Sequence, residues 1–153
     1  IVAEKQNLDI PYTTSEFRLH NMERNGLKIV LPSSGSIVVD WGKNQQHCIA
    51  SYITSAAQKR VLLLGILKDG KLTYNARISL TDKNYKPLEL KEIFDAEGAR
   101  YNIEEFRGFH NAAPDPHDLK TFQDMIETWF TDLNSDRISH PTDSATEQAR
   151  RLG

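Results

Sequence analysis

The clearest pattern along the chain is Val61-Leu62-Leu63-Leu64-Gly65-Ile66-Leu67, almost uniformly apolar, followed by Lys68-Asp69-Gly70-Lys71. Leu72, Tyr74, Ala76, Ile78 and Leu80 then alternate with polar residues. A short apolar run bounded by turn residues predicts a buried strand, and strict alternation predicts a strand with one solvated face. Asp69-Gly70 suits a two-residue type I′ turn, which needs positive φ at both central positions. With Lys68 facing Lys71, the register sets Leu67 opposite Leu72, Gly65 opposite Tyr74, Leu63 opposite Ala76 and Val61 opposite Ile78. Tyr74 then has room to lie over the bare backbone of Gly65. Thr73, Asn75, Arg77 and Ser79 fall on a solvated face. Leu62, Leu64 and Ile66 share that side, which makes the first strand internal or covered by other chain.

Helical spacing brackets this hairpin. Ser33-Ser34-Gly35-Ser36 precedes Ile37, Val38 and Trp41, which predicts a short helix capped by Ser34 or Ser36 and stopped by Gly42. A second helix is predicted from about Asn44 to Ala57. Its apolar stripe is Cys48, Ile49, Tyr52, Ile53 and Ala56, so Cys48 points inward with Tyr52. Asp115-Pro116 opens the strongest helix, with Asp115 as N-cap and Pro116 at the first helical position. Leu119, Phe122, Ile126, Trp129, Phe130 and Leu133 form its apolar face, with Met125 beside it.

The remaining segments are weaker. Phe17 and Leu19 alternate with polar neighbours as in a short strand. Asn25-Gly26 reads as a turn, and Leu27 to Leu31 as a strand ended by Pro32. Residues 82 to 99 form a polar connection with a helical turn around Leu88 to Phe94, and Tyr101 to Phe106 gives a third strand. The fold class that follows is α+β: a small, mostly antiparallel sheet packed by a Cys-bearing helix and a C-terminal amphipathic helix. A single domain is expected over residues 1–133, with residues 134–153 a polar tail carrying a frayed helix from Ser144 to Leu152.

Composition narrows the function. A chain of 153 residues is large enough for one core without staples. A net charge of −2 argues against broad, charge-driven nucleic-acid binding. The single cysteine excludes an intrachain disulfide and paired-cysteine zinc sites, and fits a reducing, cytoplasmic setting. No run reaches the length of a membrane span, so no membrane association is expected. The five histidines show no metal-ligand spacing, and neither a metal nor another cofactor is expected.

The order of elements from Leu31 to Arg77 resembles the PcfJ-like proteins of conjugative plasmids, phages and other mobile elements. The residues that carry the resemblance are Trp41-Gly42, then His47-Cys48-Ile49-Ala50-Ser51-Tyr52, matching a His-Cys-[Val/Ile]-x-x-Tyr motif, and then the hairpin. Arg107-Gly108-Phe109-His110-Asn111 resembles the family's Arg-Gly-x-x-Asn ending, with His110 at a variable position and Ala112 where a basic residue is usual. The segment between the hairpin and Tyr101 is longer than the family pattern. The resemblance implies an α+β fold and a mobile-element context, and no catalytic activity that carries across.

Several residues have both a structural and a chemical reading. Cys48 is either an inert thiol in a helix stripe or a nucleophile that takes His110 as base and Asn111 as orienting residue, in the manner of papain-like layouts. His47 points about 100° away from Cys48 on a helix and reads as a surface or packing residue. Arg107 and Asn111 flank Gly108 in a tight turn, or else Arg107 meets a phosphate or carboxylate beside Tyr52 or Trp41. Lys59, Arg60 and Arg77, with Lys68 and Lys71, lend the hairpin a basic character that permits weak, salt-sensitive nucleic-acid contact. The expected function is a non-enzymatic accessory or interaction domain that binds a protein or nucleoprotein partner. A cysteine-dependent hydrolase or acyltransferase and a weak nucleic-acid-binding module are the alternatives.

Overall fold

The computed structural model describes residues 2–90 and 98–139, with side chains described for 4–90 and 98–135. Two short helices, α1 (Val2–Gln6) and α2 (Thr14–Phe17), lead into the strand pair β1 (Glu23–Arg24) and β2 (Leu27–Val30). Helix α3 (Gly35–Gln45), a 3-10 turn (Ile49–Tyr52) and α4 (Ile53–Ala57) follow. Then come the hairpin strands β3 (Leu62–Lys68) and β4 (Lys71–Thr81), the two-residue β5 (Pro87–Leu88), and β6 (Arg100–Arg107). A 3-10 turn (Phe109–Asn111) and the long helix α5 (Pro116–Ser139) end the described chain.

Among the described residues the six strands form one antiparallel sheet in the order β1-β2-β3-β4, with β5 and β6 both paired to β4. Helices cover both faces. Phe122, Met125, Ile126 and Trp129 of α5 are buried against Leu27, Ile29, Leu64, Ile66, Ala76 and Ile78. On the opposite face Val38, Val39 and Trp41 of α3 are buried with Ile49, Ile53, Ala56 and Leu63. The fold class is therefore α+β, as the patterning predicts. A helix packed on each side explains why β3 is apolar on both of its faces.

The hairpin turn forms as predicted, with Asp69 at φ 53° and Gly70 at φ 83°. The register beyond it does not. Lys68 pairs with Lys71 and Leu67 with Leu72, but Ile66 pairs with Tyr74, Leu64 with Ala76 and Leu62 with Ile78. A β-bulge places Thr73 as an extra residue on β4, and a one-residue slip exchanges the faces of every pair beyond it. Tyr74, Ala76 and Ile78 join the α5 face, while Asn75 and Arg77 pair with Gly65 and Leu63 on the α3 face. A second bulge, between Arg77–Glu105 and Ile78–Ile103, makes Glu104 the extra residue of β6.

Gly65 accordingly lies under Trp41 rather than Tyr74. A Cβ at Gly65 would stand 2.7 Å from Trp41 Cζ2 and 3.0 Å from Val30 Cγ2. Helix α3 also runs through Gly42, the predicted stop. The bare Gly42 lets the chain fold back over the helix, since a Cβ there would meet the His47 carbonyl oxygen at 3.3 Å. Helix α3 ends instead at Gln46, in left-handed geometry at φ 51°.

The predicted continuous helix from Asn44 to Ala57 is absent. His47 and Cys48 occupy the turn between α3 and the 3-10 turn, and Cys48 is exposed rather than part of an inward stripe. Near the N-terminus the strand predicted at Phe17 and Leu19 is replaced by α2. Thr13 and Glu16 form a capping box there, with Thr13 N–H donating to Glu16 Oε2 at 3.0 Å. Helix α5 continues six residues past Leu133 to Ser139, into the segment expected to be tail. The helical turn expected through Phe94 and the tail helix from Ser144 lie outside the described residues.

The start of α5 is clamped to the hairpin. Asp115 caps it, with Oδ1 accepting from the His117 amide at 2.8 Å and the Asp118 amide at 3.3 Å. Asp118 Oδ2 accepts from Lys68 Nζ at 2.8 Å and from Tyr74 Oη at 2.6 Å. Burial alone pushes the Asp118 carboxyl up, but the hydrogen bonds from Lys68 and Tyr74 outweigh it and hold the group below its ordinary value.

Two predictions follow from these contacts. Gly65→Ala drives a methyl group into the Trp41 indole and lowers unfolding stability by about 1–3 kcal/mol, the usual cost of overpacking, in a urea titration. A depressed Asp118 contributes stability that is fully present above the unfolded carboxylate value, near ~4, and is lost as pH falls through the folded one. Urea midpoints measured from pH 6 to 2.5 should therefore fall less steeply for Asp118→Asn than for the parent chain. Parallel curves would contradict the clamp.

Candidate functional site

A polar cleft of about 160 Å³ opens on the α3 side of the sheet. Its floor is β4, through Asn75, Ala76 and Arg77. One wall is the segment between α3 and α4, which contributes His47, Cys48, Ile49 and Tyr52. The other is the end of β6 and its following turn, which contribute Glu105, Arg107 and Asn111. The cleft depends on the Thr73 bulge, because without it Asn75 and Arg77 would face α5.

The floor is held by a short hydrogen-bond chain. Asn75, which is buried, donates from Nδ2 to the Leu64 carbonyl at 3.2 Å, so its Oδ1 faces His47. His47 Nε2 lies 2.9 Å from that oxygen, and His47 Nδ1 accepts the Ile49 amide at 3.4 Å. This network places the imidazole proton on Nε2, donated to Asn75. Both ring nitrogens are committed, and the histidine anchors the turn that carries Cys48.

Arg77 is the second fixed element. Its guanidinium carbon stacks 4.1 Å from the Tyr52 ring centroid, and Nη2 donates to Glu105 Oε1 at 3.1 Å. Glu105 faces Arg77 directly across the β4–β6 pair. Nε of Arg77 is buried with no hydrogen-bond partner among the described residues. Arg107, opposite Asn75 on β6, is exposed, and no ion-pair partner engages it among the described residues. Beyond it, His110 and Asn111 both adopt left-handed backbone geometry, at φ 56° and 59°. Gly108 N–H donating to the Ala112 carbonyl at 2.9 Å closes this loop.

The residues singled out from sequence divide accordingly. Cys48, Tyr52, Arg77, Arg107 and Asn111 meet at the cleft. His110 does not line it; its ring packs edge-on against Phe109, 4.3 Å between centroids. No hydrogen bond joins Cys48 to an imidazole among the described residues. Trp41 is buried against Gly65 and is a packing residue. Lys59 turns away from the hairpin surface into a buried ion pair with Glu16, and its Nζ also donates to the Pro11 carbonyl at 2.8 Å. Arg60 stays exposed after α4. His47, Asn75 and Glu105 are the site residues that sequence reasoning missed. Asn75 and Glu105 were hidden by the two bulges, and His47 by the helix predicted around it. His47 stands in the resemblance motif, and that was the one signal able to mark it.

Asn75→Ala removes the His47 partner and the side-chain bond to the Leu64 carbonyl, so a loss of about 1–3 kcal/mol is expected in urea unfolding. Cys48→Ala, at an exposed position, is expected to stay within about 0.5 kcal/mol of the parent. The Cys48 thiol should react with a disulfide reagent in the native state, without denaturant. A protected thiol would contradict its placement on the lip of the cleft.

No groups of three or more possible metal ligands occur among the described residues, and no helix there is long and apolar enough to cross a membrane. No curated protein and no solved structure matches the chain. A family model described as PcfJ-like protein matches residues 3–111, which span both walls of the cleft and its floor. The chain belongs to the PcfJ-like protein family.

Proposed function

We propose that this chain is a non-enzymatic interaction domain that binds a protein or nucleoprotein partner through the cleft face. The observation that carries this reading is a convergence. Two of the stretches through which the chain resembles its family, His47 to Tyr52 and Arg107 to Asn111, are distant in sequence yet form opposite walls of one cleft. Packing alone does not require polar side chains there, and the cleft keeps Arg107, Asn111 and the Cys48 thiol accessible. The mobile-element or anti-element defence setting rests on the family resemblance, and a single exposed thiol fits a reducing, cytoplasmic compartment.

The enzymatic alternative lacks support at its key step. A thiol nucleophile needs a base within reach, and neither histidine near Cys48 offers one. His47 has both nitrogens engaged, and His110 packs against Phe109. The nucleic-acid alternative loses its basic track, because Lys59 pairs with Glu16, Lys68 with Asp118 and Arg77 with Glu105.

The native cysteine supplies the test. A photo-crosslinker attached to Cys48 should capture one defined partner from the native host. The same crosslinker on Lys120→Cys in a Cys48→Ala background, on exposed α5, should not. Arg107→Glu should reduce capture from Cys48 at least fivefold, and reciprocal purification through the partner should return this chain. Equal capture from both positions would refute docking at the cleft.

A further inference from the structure

We infer that the cleft receives the carboxylate of an acidic side chain from a protein partner, with Arg107 as its first contact and Asn111 and Arg77 as supporting donors. This inference rests on the cleft face being the docking surface, and it names the chemistry of what docks.

Size limits the ligand first. The cleft offers about 160 Å³. Whole small-molecule ligands need roughly 300–1,000 Å³. The cleft therefore admits the end of one side chain, and the rest of the ligand must lie outside it.

Charge then selects the end. Two guanidinium groups and one carboxylate line the cleft, and Glu105 already neutralises Arg77. The remaining positive charge matches a singly charged carboxylate. A phosphate dianion would overfill it and would sit beside the Glu105 carboxylate. Arg107 presents a planar fork of N–H donors with no ion-pair partner among the described residues, and such a fork matches a carboxylate in two parallel hydrogen bonds.

The turn after β6 supports the same reading. His110 and Asn111 are consecutive non-glycine residues in left-handed geometry, which is costly and persists where the surroundings impose it. The result sets Asn111 on the cleft wall and leaves Phe109, two residues before it, 48% exposed. One exposed apolar ring thus lies in the same short turn as Asn111, suited to an acidic residue flanked by apolar ones. A nucleic acid is disfavoured because, among the described residues, Lys59 and Lys68 are held in ion pairs, and such binding depends on many phosphate contacts.

The test is a side-chain ¹⁵N NMR titration of the full chain, following the Nε–H signals of arginine and the amide of Asn111. The probes are N-acetyl-Leu-Glu-Leu-amide, its Gln counterpart, and a twelve-residue oligothymidylate. The acidic peptide should shift the signals of Arg107 and Asn111, and bind at least tenfold more tightly than the Gln peptide. Arg107→Gln should weaken it at least tenfold, while Lys120→Gln on α5 should leave it unchanged. Equal binding of the two peptides, or an unaffected Arg107→Gln, overturns the inference. Stronger, steeply salt-dependent binding of the oligonucleotide at the same signals also overturns it and assigns the cleft to phosphate. If the peptide fails while crosslinking from Cys48 still requires Arg107, the docking surface stands and the carboxylate assignment falls. If both fail, the docking reading itself is wrong.

Discussion

Opposite Leu67, β4 carries one residue more than β3, and the two faces of the sheet are assigned from that point. Beyond Thr73 each side chain of β4 lies on the face opposite to the one an unbroken ladder would give it. Tyr74, Ala76 and Ile78 enter the α5 core, and Tyr74 reaches Asp118 to fasten the start of that helix. Asn75 and Arg77 turn to the other side, where His47, Tyr52 and Glu105 meet them. The bulge therefore sets the core and the cleft together. Bulges recur beside functional sites because they re-aim a side chain without disturbing the rest of the sheet.

Close backbone approach is the complementary constraint. Gly65 admits the Trp41 indole onto β3, and Gly35 lets α3 begin against α1, where a Cβ would lie 1.8 Å from the Lys5 carbonyl oxygen. Gly42 lets the chain reverse tightly enough to carry His47 back over α3. Together these contacts hold the segment from His47 to Tyr52 against the sheet although it contains only a 3-10 turn. Rigid β4 and β6 face it, so the cleft has a fixed floor, one fixed wall and one wall pinned by the bond between His47 and Asn75.

The buried Glu16–Lys59 pair does similar work for the N-terminal segment. Glu16 is fully buried, caps α2 and pairs with Lys59 at the end of α4, while the Trp129 indole donates to the Ser15 carbonyl at 2.8 Å. Removing one partner of such a pair is more damaging than never having had it, because the remaining charge is left dry. A lysine that reads as surface charge in the sequence is thus part of the framework.

Local chemistry made much of the fold legible. Asp69-Gly70 specified its turn, Asp115-Pro116 the start of α5, and the spacing from Leu119 to Leu133 its buried face. Each of these signals acts within a few residues. The α+β class and the family motif at His47 to Tyr52 could also be read directly. Tertiary structure alone decided the register, the exposure of Cys48 and the membership of the cleft. The reason is specific to β3: it is apolar on both faces, so nothing in its pattern marks a one-residue slip, and the turn residues cannot report a bulge that begins just beyond them. Whether Arg77 lies in solvent or over Tyr52, and whether Lys59 faces water or Glu16, depends on that slip and on chain arriving from far away in sequence. Apolar periodicity could therefore say which elements form. Only their packing could say which polar side chains they bring together.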